Sequence, residues 1–236
     1  MTTVISRRFT PEELQRRSDE FETQRPEAVL QWAFETFGDK VAMASSFGGA
    51  SGSVILDMAV KINPKVRVFY LDTDFLFPET YASVKESAER YGITPVAFKS
   101  KLTPEEQARR YGEALWSKNP DQCCELRKVE PNARALEGLD AWITGIRRDQ
   151  AQTRKKIGIV EWNEKFGLVK VNPVAHWDKK QIWQYMFEHR VPYNVLLDKG
   201  YKSIGCTHCT KPVGADDDER AGRWAGTDKV ECGLHT

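Results

Sequence analysis

Long hydrophobic runs are missing from this chain of 236 residues. No apolar stretch approaches the roughly 18–20 residues that cross a bilayer as a helix, which excludes a helical membrane protein. The opening MTTVISRRFTPEEL holds no apolar core of about 7–15 residues, so export by a signal peptide is not expected. An excess of charge is missing too. The 35 basic and 34 acidic residues leave a formal net charge of +1, which argues against a protein that lives on nucleic acid. Cysteine is scarce and odd in number, five in all, which argues against a disulfide framework and for a reduced, cytoplasmic protein. No internal repeat and no low-complexity tract occurs. What remains, 40% hydrophobic and 29% charged residues, suits one packed α/β domain; the length does not comfortably hold two.

The order of elements can be read from turn residues and apolar runs. Thr10-Pro11-Glu12-Glu13 is a helix start, with Leu14 and Phe21 on one face. A second helix is predicted over 26–37. Short apolar runs at 41–45, 66–70, 95–98, 141–144 and 168–171 read as strands. Helical stretches at 54–60 and 78–91 separate them, and an amphipathic helix with Ile182, Trp183, Met186 and Phe187 follows Asp178. This alternation predicts a mostly parallel sheet with helices on both faces. Ligands bind such sheets beyond the C-terminal strand ends, which directs attention to residues 46–53, 72–77 and 145–154. Periodicity fades after Cys209. The chain therefore divides into a single α/β unit, 1–213, and a mobile tail, 214–236.

Gly48, Gly49 and Gly52 stand between a strand and a helix, with Ser45, Ser46, Phe47, Ser51 and Ser53 among them. Glycines let backbone N–H groups approach an anion at a helix N-terminus. No G-K-[ST] follows, so this is not a Walker loop, and a tight strand-to-helix turn explains it as well. Arg147, Arg148 and Arg154 follow a strand end, Arg127 and Lys128 follow a cysteine pair, and Arg220 and Arg223 lie in the tail. Singly, each reads as a surface charge. Guanidinium forks also suit phosphate and sulfate oxygens.

The cysteines form a vicinal pair, Cys123-Cys124, a C-x-x-C, Cys206-Thr-His-Cys209, and a single Cys232 near the end. Alone, the C-x-x-C could be half a zinc site or a redox dithiol. Adjacent cysteines do not easily chelate one tetrahedral ion but can bind two irons of a cubane. The four thiolates therefore favour a [4Fe–4S] cluster over zinc. Cys232 is left over. Beside a cation, a tail thiolate is a nucleophile.

Together these residues resemble the assimilatory sulfonucleotide reductases, the adenylyl-sulfate (APS) and phosphoadenylyl-sulfate (PAPS) reductase family. The likeness runs from about Val41 to His235. It is carried by Glu231-Cys232-Gly233-Leu234-His235, Gly145-Ile146-Arg147-Arg148-Asp149-Gln150, Leu71-Asp72-Thr73, and the cysteine pairs with Arg127-Lys128-Val129-Glu130-Pro131. The resemblance implies an adenine-nucleotide α-hydrolase (PP-loop) fold. It implies that the Gly-Ser turn holds the sulfate end of the substrate and that Leu71, Asp72 and Thr73 lie near the adenosine. Lys128, Arg147, Arg148, Arg220, Arg223 and His235 would neutralise phosphosulfate oxygens. Cys232 would attack the sulfur of APS, and thioredoxin or a glutaredoxin-like dithiol would release sulfite.

Three departures bear on substrate choice. ATP-using relatives carry an acid in a Ser-Gly-Gly-x-Asp-Ser loop, whereas Ser51 and Gly52 stand here. Asp74 stands where the family often has Gly. The segment Gly222-Arg223-Trp224-Ala225-Gly226 looks more like PAPS-type members, while the four cluster cysteines point to APS. The expectation is an iron–sulfur APS reductase, with PAPS or dual specificity as the alternative. An ATP-dependent tRNA thiolation enzyme and a zinc-stabilised binding module are remoter readings. No nucleic-acid or membrane partner is expected, and the oligomeric state, a homo-oligomer included, is left open.

Overall fold

The computed structural model describes residues 9–235. The reading of the opening stretch MTTVISRR, and the outer limits of the two segments at residues 1 and 236, lie outside the described residues. Helix α1 (Pro11–Phe21) starts as its sequence dictates. The Thr10 hydroxyl accepts from the Glu13 N–H at 3.2 Å, and the Glu13 carboxylate accepts from the Thr10 N–H at 2.8 Å. After α2 (Pro26–Phe37) the chain alternates through β1 (Val41–Ala44), α3 (Ala50–Ile62), β2 (Val68–Asp72), α4 (Pro78–Tyr91) and β3 (Val96–Lys99). Four short helices follow, α5 (Pro104–Tyr111), α6 (Leu115–Lys118), α7 (Pro120–Cys124) and α8 (Glu130–Leu136), with a π turn (Glu125–Val129) joining the last two. Then come β4 (Ala141–Ile143), β5 (Val160–Asn163), β6 (Leu168–Val171) and α9 (Lys179–His189).

Among the described residues the sheet has six strands in the order β3-β2-β1-β4-β6-β5, parallel except for β5. The mostly parallel prediction holds. Strand β5 was not anticipated, because its four residues alternate with polar groups and lie at a sheet edge. Helix α3 begins four residues earlier than the apolar run suggested, so Ser51, Gly52 and Ser53 belong to its first turn.

The central strands bury both faces. On one, Val41, Met43, Ala141 and Ile143 join the large core with residues of α1, α2, α3 and α9. On the other, Ala42, Phe69 and Trp142 pack with Ala135 and Leu136 of α8. Each large apolar side chain so buried contributes roughly 1.5–3 kcal/mol. Going outward from β1, the chain order reverses between β1 and β4, and a crevice opens beyond the C-terminal ends of these two strands. Gly145 makes the crevice narrow: a Cβ there would come within 3.0 Å of the Gly52 nitrogen, so the exit of β4 abuts the start of α3.

Candidate active site

The crevice is a cavity of about 290 Å³. Its wall brings together Ser45, Ser46, Gly49 and Ser51 from the exit of β1, Leu71 and Thr73 from the exit of β2, and Arg147 from the exit of β4. Lys128 reaches it from the π turn. Arg220, Arg223, Cys232 and His235 reach it from the C-terminal segment. Most residues singled out from the sequence, up to 190 positions apart, thus converge on one space.

The first turn of α3 has no side-chain cap, and Gly49, Ala50 and Ser51 of that turn line the cavity. Unpaired N–H groups there favour an anion. The Arg147 guanidinium, almost fully buried, donates to Ser51 Oγ, to Asp149 at 2.8 Å and, at 3.4 Å, to Glu219. Burial pushes the Glu219 carboxyl above its ordinary range, with Arg147 opposing.

Four predicted residues stand elsewhere. Arg148 turns away from the cavity: it donates to Glu22, at the C-terminal end of α1, at 2.8 Å and to the Ile157 carbonyl at 2.8 Å. Phe47 is buried against Tyr70, with φ +49° turning the chain out of β1. Gly48 packs on Ile204. Asp72 accepts from Tyr81 Oη at 2.7 Å and pairs with Lys99 at 3.2 Å. The local pattern could not show these partners, since each comes from a distant element. Asp74 adopts the left-handed conformation a glycine would take, φ +59°, and its carboxylate pairs with the fully buried Arg127 at 3.0 Å and with Lys99 at 2.7 Å.

Cys123, Cys124, Cys206 and Cys209 line a second, smaller pocket, and Lys128 forms part of the wall of both. All four thiols are free. They are crowded: burial, and then the charges of Cys124, Cys206 and Cys209, push Cys123 up to about 12, and burial with Cys206 pushes Cys209 up to about 11. Thr73 Oγ1 lies 3.3 Å from Cys206 Sγ, so the exit of β2 touches this pocket. Among the described residues, no three His, Cys, Asp or Glu side chains converge as ligands of a single ion would. The donor set nonetheless fits a group bound by separated thiolates: four unpaired cysteines around one pocket, with a cation behind them. Burial works against the charge on Lys128, but Cys206, Cys124 and Cys232 outweigh it and hold its pKa above the ordinary range.

In this structure the C-terminal segment lies against the body. Thr210 bridges Arg223, Lys211 N–H donates to the Gly222 carbonyl at 2.9 Å, and Trp224 N–H donates to the Cys209 carbonyl at 3.0 Å. Gly222 is required there, since a Cβ would meet the Lys211 carbonyl at 2.1 Å. The buried Trp224 ring is ringed by cations, Arg223 at 4.4 Å and Arg220, Lys229 and Lys128 at 5.6–5.9 Å. His235 stacks on Trp142 at 5.7 Å. Burial, and then Lys170, Arg154 and Arg220, hold its pKa well below the ordinary imidazole range. A neutral His235 can donate a hydrogen bond to an anion but brings no charge, which amends the role expected of it. Two residues that the motifs contained were given no role of their own: Glu231, whose carboxylate accepts from Arg154, and Trp224. Arg154 was visible as one of a basic trio; only the folded chain pairs it.

A mostly parallel α/β sheet with a glycine-serine turn at its chain-order reversal, a ring of cations and a cysteine on the cavity wall has the make-up of a nucleotide-binding protein equipped for thiol chemistry. Known proteins agree. Residues 40–212 match the family described as the phosphoadenosine phosphosulfate reductase domain. The adenosine 5'-phosphosulfate reductase of Salinibacter ruber is 48% identical over 218 residues, covering 92% of this chain and 86% of that protein. The enzyme of the same name from Shouchella clausii is 50% identical over 208 residues, covering 88% and 86%. Among solved structures, phosphoadenylyl-sulfate reductase from Candida auris, in a phosphate complex, aligns with a TM-score of 0.77 at 38% identity, covering 86% of this chain and all but 2% of that one (98%). The FMN adenylyltransferase of Candida glabrata shares the fold alone, with a TM-score of 0.58 at 14% identity over 94% of this chain and 83% of that one. The chain belongs to the phosphoadenosine phosphosulfate reductase domain family.

Proposed function

We infer that this protein reduces adenylyl sulfate to sulfite and AMP in sulfate assimilation, using a thioredoxin-type dithiol. The relatives' names support the reaction, and one observation supports its chemistry: Cys232 stands on the cavity wall within the electrostatic reach of Lys128 and Arg220. Cations on that wall can neutralise the anionic substrate that the Cys232 sulfur must meet. In the first half-reaction the Cys232 thiolate attacks the sulfur of APS. A Cys232 S–S bond forms, the S–O bond to phosphate breaks, and AMP leaves with the electron pair. Lys128, Arg147, Arg220 and Arg223 neutralise the developing charge, together with the α3 N-terminus. In the second, a reductant thiolate attacks Cys232 Sγ and expels sulfite. Its second thiol then resolves the mixed disulfide and frees Cys232, so the dithiol is oxidised by two electrons.

Cys123, Cys124, Cys206 and Cys209 would hold a [4Fe–4S] cluster. When bound, such a group would cross-link α7 to the C-x-x-C and add an electrostatic field, the electrons coming from the dithiol. Lys128, shared by both pockets, links that site to the substrate anion. Segment 214–236 would act as a catalytic flap that closes over substrate and opens to the reductant. No helix among the described residues is long and apolar enough to cross a membrane; the odd, unpaired set of five cysteines supports a cytoplasmic location.

PAPS is the second reading. The acid-free turn 46–53 supports it, as does the likeness to a solved phosphoadenylyl-sulfate reductase. The experiment is thioredoxin-dependent sulfite release by anaerobically purified protein, comparing APS and PAPS, with Cys232→Ser alongside. Wild-type turnover and a dead variant are expected; sulfite at an undiminished rate from Cys232→Ser refutes the mechanism. Iron and sulfide analysis tests the cluster, and zinc alone would refute it.

A further inference from the structure

Glu231 precedes the nucleophile, yet its side chain is turned into the body and buried. Its carboxylate accepts from Arg154 Nε at 2.8 Å, Arg154 Nη2 at 3.0 Å, Arg220 Nη2 at 3.0 Å and Thr153 Oγ1 at 3.2 Å. Arg154 and Thr153 lie in the turn region that follows β4; Arg220 lies in the tail itself. The Glu231–Arg154 pair is a two-pronged ion pair with side chains 5% and 9% exposed. Lys165 Nζ reaches the Gly233 carbonyl at 2.7 Å, but from an exposed side chain. Residues 225–235 form no helix or strand, so tertiary contacts alone set where Cys232 lies.

We propose that Glu231 is the positioning residue of this enzyme: clasped by Arg154, it sets the Cys232 sulfur over the cavity for the first half-reaction, and the clasp opens for the second. The inference rests on the reductase reading above. Attack on sulfur needs the thiolate aligned behind the S–O bond, and a displacement of about 1 Å can cost about 100-fold in rate. A buried two-pronged ion pair one residue away supplies that alignment. The second half-reaction has the opposite need, because a dithiol must reach Cys232 Sγ, which in the docked tail stands on the cavity wall and is only partly exposed. The product of the first step favours release. The sulfonate added to Cys232 is a new anion within reach of Arg220, which also serves the Glu231 carboxylate, so Arg220 is shared between two acceptors.

Glu231→Gln keeps the shape and loses the charge. Without reductant, the rate at which Cys232 gains one SO₃ from APS, read by intact mass, should fall about 10- to 100-fold. Sulfite release from the preformed adduct by reduced thioredoxin should be unchanged or faster. Iodoacetamide labelling of Cys232 in the substrate-free enzyme should rise several-fold. Arg154→Gln should show the same split, and the double variant should be no worse than either single one. Equal slowing of both half-reactions, unchanged labelling, or additive losses would overturn the proposal. Should wild-type enzyme gain no SO₃ from APS, the reductase reading falls, while the labelling comparison still tests the clasp.

Discussion

Mild acid should loosen the C-terminal segment, and His235 is the reason. In the docked segment its ring stacks on Trp142, its buried Nδ1 has no hydrogen-bond partner, and Lys170, Arg154 and Arg220 face it. Burial, and then the three cations, oppose protonation, so the docked pKa lies well below the ordinary 6.5. Undocked, the imidazole titrates normally. The undocked state therefore binds the proton that the docked state refuses. The contribution to docking is fully present above the free value and erodes as pH falls below it. The loss is about 1.4 kcal/mol at pH 5.5, a tenfold shift in the docking equilibrium, growing by about 1.4 kcal/mol per further unit until the docked pKa is reached. Glu219 has the opposite sign. Burial raises its pKa, so protonation favours the docked state as pH falls, and the measurement is best made in Glu219→Gln as well. Glu231 stays ionised, since Arg154 and Arg220 outweigh burial and depress its pKa. Hydrogen–deuterium exchange of peptides spanning 225–235, corrected for intrinsic rates, reads the equilibrium. Protection should fall about tenfold between pH 7.5 and 5.5 and should not change in His235→Asn. Constant protection in the wild type, or the same loss in His235→Asn, would refute the argument.

Arg147→Ala should raise the KM for APS about tenfold or more, because a buried guanidinium at the anion turn is removed. Arg148→Ala should leave KM within about twofold and cost about 1–2 kcal/mol in chemical denaturation, since it loses a partly exposed pair with Glu22 and a hydrogen bond to the Ile157 carbonyl. Asp74→Gly relieves a left-handed non-glycine residue but strips the buried Arg127 of its carboxylate; a net loss of about 1–3 kcal/mol is expected, and a gain in denaturation midpoint would contradict it. Gly222→Ala drives a Cβ into the Lys211 carbonyl and should detach the segment, exposing it to limited proteolysis and slowing sulfite formation about tenfold or more; an intact, protected segment would refute this.

Local sequence was sufficient wherever chemistry is written along the chain. Thr10 and Glu13 cap α1 because their side chains reach the adjacent N–H groups whatever else the protein does. The alternation of short apolar runs with helical stretches determined a mostly parallel sheet, because both faces of such strands must be buried. The glycine-serine turn, the cysteine spacing and the motif around Cys232 pointed to one family before any distance was known. Tertiary structure decided the pairings. Arg147 and Arg148 are neighbours in sequence, yet one lines the cavity and the other holds α1, because adjacent side chains leaving a strand end point to different sides. Asp74 tolerates a glycine's conformation only because Arg127 and Lys99 arrive from elsewhere to pair with it. His235 reads as a cation in sequence and is held neutral by burial and by three cations that the fold gathers around it. Glu231 reads as one letter of a motif; burial against Arg154, 77 residues away, makes it an anchor. Residue type and spacing set which groups are available, but desolvation and through-space charge decide their protonation, orientation and partners, and those depend on distances that only the folded chain defines.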